Sequence, residues 1–375
     1  MIVNFFMPKY MMDFKCISSK CEDTCCAGWD INIDENTYNR YINSTGELKT
    51  LLEGKFIENK NEHDTFNRGF MILKSESRCP FLNENMLCDI HGSVGEEHLC
   101  ITCKNYPRVF NIVDNTYEKS GLPSCEEICR KAFLNKEKME FIEVEDYIDE
   151  ESIEIRRIID SEAFEGSHSL LQYFWDLRVM TINIMQERDF LIEERLNIIK
   201  SLYEIIQDSY EKYDFDKIEE ILDDFNNGLI NIEDYKGKCF KEKQEFYKDI
   251  CEDNLVNNVR SVRLRKCIEE YKLGMLSFNM NTYNEVNNKL EEYSYILENY
   301  LVNQVFKNLI PFNKGDNLVQ SINELINSYR IIKAYIIGIS ISLKNEISEN
   351  LILRVIQSLS KDIEHNKIFK NLLYN

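Results

Sequence analysis

Four cysteines fall within eleven residues near the N-terminus, in Cys16-Ile-Ser-Ser-Lys-Cys21-Glu-Asp-Thr-Cys25-Cys26, and Ala-Gly-Trp29 follows. No other stretch limits the fold as sharply. A buried cysteine packs as a small hydrophobe, and a core gains little from four of them in one polar loop. The cluster therefore serves chemistry, either disulfide or metal. Of the 13 cysteines, ten lie between Cys16 and Cys129, and Cys239, Cys251 and Cys267 lie beyond. The remaining N-terminal ones come as Cys79/Cys88, Cys100/Cys103 and Cys125/Cys129.

The compartment decides between the two chemistries. Met-Ile-Val-Asn-Phe-Phe-Met-Pro-Lys carries no basic leader, long apolar run or small-residue cleavage site, which predicts a cytoplasmic home. Reducing conditions there disfavour disulfides and turn dense cysteines toward metal or catalysis. The longest apolar run, Ile331 to Leu343, contains Lys333 and is shorter than the roughly 20 residues that span a bilayer, so it reads as a buried helix rather than a membrane segment. A net charge of -20 argues against nucleic-acid binding, which needs a concentrated basic face.

A chain of 375 residues is long for one core, and two units are expected: a cysteine-rich metal-binding portion over 1–130 and a helical portion over 131–375. The fold class predicted is mainly α, an irregular cysteine-rich domain followed by an all-helical one. Asp-Ile-Asn-Ile-Asp34 suits one short strand, and Asp34 is placed to cap a helix from Glu35 to Tyr41. A short helix is expected near Leu48 to Phe56, and a hairpin-like turn at Asn83-Glu-Asn85 between Cys79 and Cys88. Met1 to Phe14 shows no helix signal. Later, helical spacing recurs at Ile192, Leu196, Ile199 and Ile206, at Leu297, Leu301 and Val305, and at Ile322, Ile326, Tyr329, Ile332 and Ile336.

Thiolates in groups of four hold zinc or iron–sulfur clusters, and the supply here exceeds one such site. Adjacent Cys25 and Cys26 are hard to aim at one metal atom, because neighbouring side chains of an extended segment point apart. They serve two sites or two irons of one cluster. Spacing does not choose between zinc and iron–sulfur, since Cys100-x2-Cys103 lacks the second, distant C-x2-C that makes zinc ribbons recognisable. His91 and His98 lie in the same region and are secondary ligand candidates, more simply read as solvated or structural.

Further motifs narrow the reading: Pro8-x-Tyr10, Phe14-x-Cys16, Cys21-Glu-Asp-Thr-Cys-Cys-x-Gly-Trp29, Cys79-Pro-Phe-Leu82, Leu87-Cys88-x-Ile90, Thr102-Cys103-x-x-Tyr-Pro-Arg108 and Ser124-Cys125. In these the chain resembles the flagellin lysine-N-methylase family of bacteria, which is related to cysteine-rich zinc- or iron-chelating domains. The resemblance is dense over residues 8–130 and thinner at Glu298-Asn-Tyr-Leu301 and Ile310-Pro-Phe312. It implies methylation of flagellin lysines with S-adenosylmethionine, and a metal centre, a [4Fe-4S] cluster or alternatively zinc. The cysteines it carries over as ligands are Cys16, Cys21, Cys25, Cys26, Cys79, Cys88, Cys103 and Cys125; Cys100 and Cys129 are additions of this chain.

Beside these ligands, Arg108 could pair with a carboxylate of the cofactor, and Trp29 and Tyr106 could offer aromatic faces to a sulfonium or a methylated ammonium. The plainer account is that all three brace the metal loops. No G-x-G-x-x-G turn occurs, so a cofactor site of Rossmann type is not expected. The C-x3-C-x2-C spacing of radical S-adenosylmethionine chemistry is also missing, and polar transfer to a neutral lysine is the expected route. With 20 tyrosines and 65 acids, the sequence nominates no general base. The alternative is a zinc- or iron-chelating module without catalysis.

Overall fold

The computed structural model describes residues 1–61, 64–237 and 244–374, so Cys239 lies outside the described residues. Helices dominate, as the periodicity predicts, but a mixed five-stranded sheet stands among them. Its order is Phe141–Tyr147, Ile2–Pro8, Thr116–Gly121, Arg108–Val113 and Ile155–Ile159. Ile2–Pro8 runs antiparallel to Phe141–Tyr147 and parallel to Thr116–Gly121. Arg108–Val113 pairs antiparallel with Thr116–Gly121 through a tight turn, and parallel with Ile155–Ile159. Asp114 and Asn115 form that turn, both with positive φ, a conformation these short polar side chains tolerate and one that matches strand twist.

The sheet corrects the expectation of an irregular N-terminal portion followed by helices alone. Two of its strands, Phe141–Tyr147 and Ile155–Ile159, come from the stretch read as all-helical, and Met1 to Phe14 supplies a third. Residue 130 thus falls between strands of one sheet. The large core likewise runs from Phe5, Met7, Phe110 and Ile128 to Leu196, Tyr335 and Phe369. A smaller core gathers Ile31, Ile33, Tyr41, Leu52, Phe81 and Ile90. It is roofed by the three-stranded sheet of Asn32–Ile33, Gly69–Met71 and Phe56–Glu58.

Most local expectations around the smaller core hold, but the helix expected near Leu48 to Phe56 spans Gly46–Leu52: Gly54, at φ +67, follows its end, and Phe56 opens the strand Phe56–Glu58. Asp34 caps the helix Glu35–Ile42, accepting from Thr37 N at 2.8 Å. The turn after Cys79 is closed by Asn83 N donating to Leu87 O at 2.9 Å. In the helical portion, Ile192–Glu211, Ser294–Asn308 and Leu318–Ser342 carry the predicted apolar rows, and those rows are buried. The run from Ile331 is indeed interior. No helix among the described residues is long and apolar enough to cross a membrane. Leu318–Ser342 meets Val262–Met275 where Gly274 faces Gly338: a Cβ on Gly274 would strike the carbonyl oxygen of Gly338, so only glycine permits this backbone-to-backbone crossing.

Two helices fix the sheet and the cysteine loops. Ser294–Asn308 lies against the sheet, with Tyr10 Oη donating to Asn303 Oδ1 at 2.6 Å and Asn303 Nδ2 to Gly121 O at 3.1 Å. Glu349–His365 runs past the cysteine loops and buries an unusually polar face that includes Gln357, Lys361 and Asp362.

Candidate functional site

The eight cysteines carried over as ligands, together with Cys100, line one cavity of about 390 Å³. Three of these nine sit at helix starts: Cys88 before Asp89–Val94, Cys100 before Ile101–Asn105 and Cys125 before Glu126–Phe133. Free backbone N–H groups at such positions stabilise a thiolate. Cys88 receives them from Ile90 and His91, and Cys125 from Glu127 and Ile128. Elsewhere Cys79 receives one from Phe81, and Cys16 Sγ accepts from Ser18 N at 3.4 Å. Four of the cavity thiols thus already accept from backbone N–H groups. His91 lines the same cavity, whereas Nδ1 of His98 is buried without a partner and its carbonyl accepts from Tyr41.

All described cysteines are free thiols. Among the described residues no three His, Cys, Asp or Glu side chains are drawn together tightly enough to cage an ion. The donor chemistry nevertheless fits thiophilic metal: Cys25 and Cys26 Sγ stand 4.0 Å apart, and the thiols share one wall-to-wall space. Burial raises most of them, Cys21 and Cys79 to about 12 and Cys125 to about 11. Cys26 goes the other way, down to about 7, because Cys25 hydrogen-bonds to it and Thr24 and Lys361 lie near. Cys100 is also lowered, chiefly by a hydrogen bond from Cys103. Cys129 differs from the rest. It is buried in the large core, donates to Pro123 O at 3.0 Å and does not line the cavity.

The loop Cys21–Trp29 is held by the long helix at its back. Lys361 Nζ, only 2% exposed, donates to Asp23 Oδ2 at 2.8 Å and to Thr24 O at 2.9 Å. Gln357 Nε2 donates to Asp23 Oδ2 and Ser124 O, both at 2.9 Å, so one side chain ties the first cysteine loop to the last. Arg263 bridges Glu22 and Glu126. Gly28, at φ +89, lets the loop pass Lys361 at a spacing where a Cβ would come within 3.1 Å of Cε. Sequence reasoning missed Lys361 and Gln357. A run of ionisable residues, Lys361-Asp-Ile-Glu-His365, reads as a solvated helix end until the loop that buries it is known.

Trp29, Tyr106 and Arg108 come together. They line the cysteine cavity and also a neighbouring cleft of about 570 Å³, a size within the usual range for small-ligand sites. Trp29 stacks on Tyr106 with ring centres 5.5 Å apart, and on its own account donates Nε1–H to Cys25 O at 2.7 Å. His365 closes the aromatic group at 4.5 Å from Trp29. A polar chain runs beside it: the Tyr106 and Ser124 hydroxyls are 3.1 Å apart, and Ser124 Oγ is 3.2 Å from His365 Nε2. Arg108 lies over the Phe14 ring at 5.3 Å. Burial pushes His365 down to about 4, so its ring is neutral near pH 7. Next to it, burial opposes ionisation of Glu364, yet Lys307 and Arg156 outweigh it and hold the carboxyl at about 2. Burial brings Lys307 itself down to about 8. The cleft therefore joins an aromatic wall to fixed charge, with Asp30, Glu154, Arg156 and Arg260 around its mouth.

Residues 178–375, just over half of the chain, match the family described as the FliB lysine N-methylase C-terminal domain. The flagellar biosynthetic protein FliU of Salmonella muenchen is 26% identical over 133 residues, 35% of this chain and 78% of that protein. Two proteins called lysine-N-methylase, from Salmonella choleraesuis and Salmonella typhimurium, are also 26% identical over 133 residues, 35% of this chain. The match spans 33% of the length of each of these two. No solved structure matches the chain. The helix that carries Gln357, Lys361 and His365 lies inside the matched segment, and the chain belongs to the FliB lysine N-methylase family.

Proposed function

We propose that this chain is a protein-lysine N-methyltransferase that methylates flagellin with S-adenosylmethionine in the cytoplasm, its N-terminal thiols holding an iron–sulfur centre of [4Fe-4S] type or, alternatively, zinc. Family membership supports the reaction class. The observation that carries the reading further is the wall of Trp29, Tyr106 and Arg108 shared by the thiol cavity and the cleft. When bound, S-adenosylmethionine supplies an electrophilic methyl on a sulfonium. The stacked faces of Trp29 and Tyr106 suit a cation of that kind, or the ammonium of a target lysine, through their ring quadrupoles.

A lysine must be neutral to attack, and its ordinary pKa is about 10.4. A low-dielectric wall of stacked rings disfavours the charged form, while Arg156 and Arg260 in the cleft are paired with Glu364 and Asp30 and leave that desolvation as the main lever. The Tyr106–Ser124–His365 chain offers hydrogen-bonding oxygens and a neutral ring nitrogen along which a released proton can be passed. The ligands of the centre would be Cys16, Cys21, Cys25, Cys26, Cys79, Cys88, Cys103 and Cys125, braced from behind by Lys361 and Gln357.

The thiol set alone would equally suit a chelating module without catalysis. Labelled S-adenosylmethionine separates the two. Metal-replete protein is expected to bind it and to transfer label to lysines of flagellin, and Trp29→Ala is expected to lower that transfer at least tenfold. Mass spectrometry of flagellin from cells with and without the gene gives the same answer in vivo. Absence of cofactor binding by metal-replete protein would leave the chelating module.

A further inference from the structure

The thiols around the cavity fall into two sets with different surroundings. Cys26, Cys79, Cys88 and Cys103 belong to the smaller core, Cys79 inside it and the others packed against it. Their backbone is tied together, with Cys79 N donating to Cys26 O at 2.7 Å and Leu82 bridging to Cys88. Cys125, by contrast, packs on the large core. The segment after Cys21 is tied to the helix that follows Cys125, with Glu22 N and Asp23 N each donating to the Glu126 carboxylate at 2.9 Å. Cys25 and Cys26, adjacent in the chain, join the two sets at their seam.

We infer that the protein holds two inorganic centres, an outer one on Cys16, Cys21, Cys25 and Cys125 and a deep one on Cys26, Cys79, Cys88 and Cys103. This rests on the reading above that these thiols bind metal. Four thiolates complete one zinc ion or one cubane cluster, and eight complete two. A single four-thiol centre would leave five of the nine cavity thiols unused, and Cys125 packs on the large core whereas the deep set packs on the smaller one. Each centre forms when four thiols give up their protons to bond the incoming ions, with no electron transfer required for zinc or for a preformed cluster.

The surroundings also differ in access. Cys16 and Cys25 are exposed, and Glu22, Glu126 and Arg263 stand beside the outer set. The deep set lies among Ile31, Met71, Phe81 and Ile90, with Cys100 as a fifth thiol hydrogen-bonded to Cys103. The outer centre is therefore the labile one and the deep centre the one that folds the loops.

Native mass spectrometry of the full chain, reconstituted anaerobically with equal parts of ferric and ferrous iron plus sulfide or with zinc alone, counts the centres directly. Two equal mass increments are expected, and a chelator should remove one of them well before the other. The paired variants C16S/C125S and C79S/C103S should each bind half the wild-type metal. A single increment in the wild type, or loss of all metal in both variants with helical circular dichroism retained, overturns the two-centre arrangement and leaves a one-centre enzyme standing. Wild type that takes up neither metal removes the underlying reading as well. If C79S/C103S fails to fold, the wild-type count still decides.

Discussion

Asp34 does the work of two caps. One carboxylate oxygen accepts from Thr37 N, and the other accepts from Ile101 N at 2.9 Å, at the start of the helix that follows Cys100. One residue thereby fixes the smaller core to the loop that presents Cys100 and Cys103. Each such cap contributes about 1 kcal/mol, so Asp34→Ala is expected to cost about 2 kcal/mol and to lower bound metal. Denaturant midpoints and metal analysis of the variant check both. His365 gives a pH prediction. Its ring takes up a proton in the unfolded chain near 6.5 but in the folded one only near 4. Between those values the unfolded state binds more protons, so stability is present above 6.5 and is lost as pH falls toward 4. Glu364 extends the loss below 4.5. His365→Gln should flatten the profile between pH 4 and 6.5 by up to one proton, read from urea unfolding at a series of pH values.

At the scale of elements, the helix Glu349–His365 is less a piece of core than a back-plate for the cysteine loops. Its apolar face packs inward, and its polar face is buried because Asp23, Thr24 and Ser124 come to meet it. Removing one partner of a buried pair leaves the other charge without compensation, which typically costs 3–5 kcal/mol. Asp23 retains some solvent, at 15% exposure, so about 3 kcal/mol is expected for Lys361→Met. The same variant should speed labelling of Cys25 and Cys26 by a thiol reagent, since it frees their loop. Unchanged labelling would mean that the loop stands without the helix. Lys361 sits in the segment that matches the methylase family, while its partners precede that segment, so the pairing is a structural reason for the two portions to travel together in one chain.

For the molecule as a whole, the sheet carries the junction. Arg178 on the helix Phe174–Met185 forms a two-pronged pair with Glu118 in the strand Thr116–Gly121, at 2.5 and 2.9 Å. It also donates to Phe306 O at 3.1 Å and lies over the Phe306 ring, so three elements meet at one guanidinium. Both partners are 1% exposed. Arg178→Met alone should cost 3–5 kcal/mol, whereas the double change R178M/E118M should recover most of it, because a well-packed apolar pair can replace a buried ion pair. Thermal melts of the three proteins test this. A double variant as unstable as the single would place the cost in lost packing rather than in the stranded carboxylate.

The sequence by itself determined the local signals. Cysteine spacing marked the loops that meet at one cavity, Asp34 announced its helix, the 3.6-residue rows located the long helices, and Cys-x-Gly-Trp29 with Tyr-Pro-Arg108 marked residues that do share a wall. These signals need only neighbours a few positions away. The pairing of the five-stranded sheet was not legible, because its partners lie far apart in the chain, as with Ile2 and Tyr147. Two local cues were missed: the alternation Ile142-Glu-Val-Glu145, and Val113-Asp-Asn-Thr116, a two-residue turn between alternating runs. Only the tertiary structure could decide that Lys361 and His365 serve the N-terminal loops, since burial of a charged helix end depends on what is packed upon it.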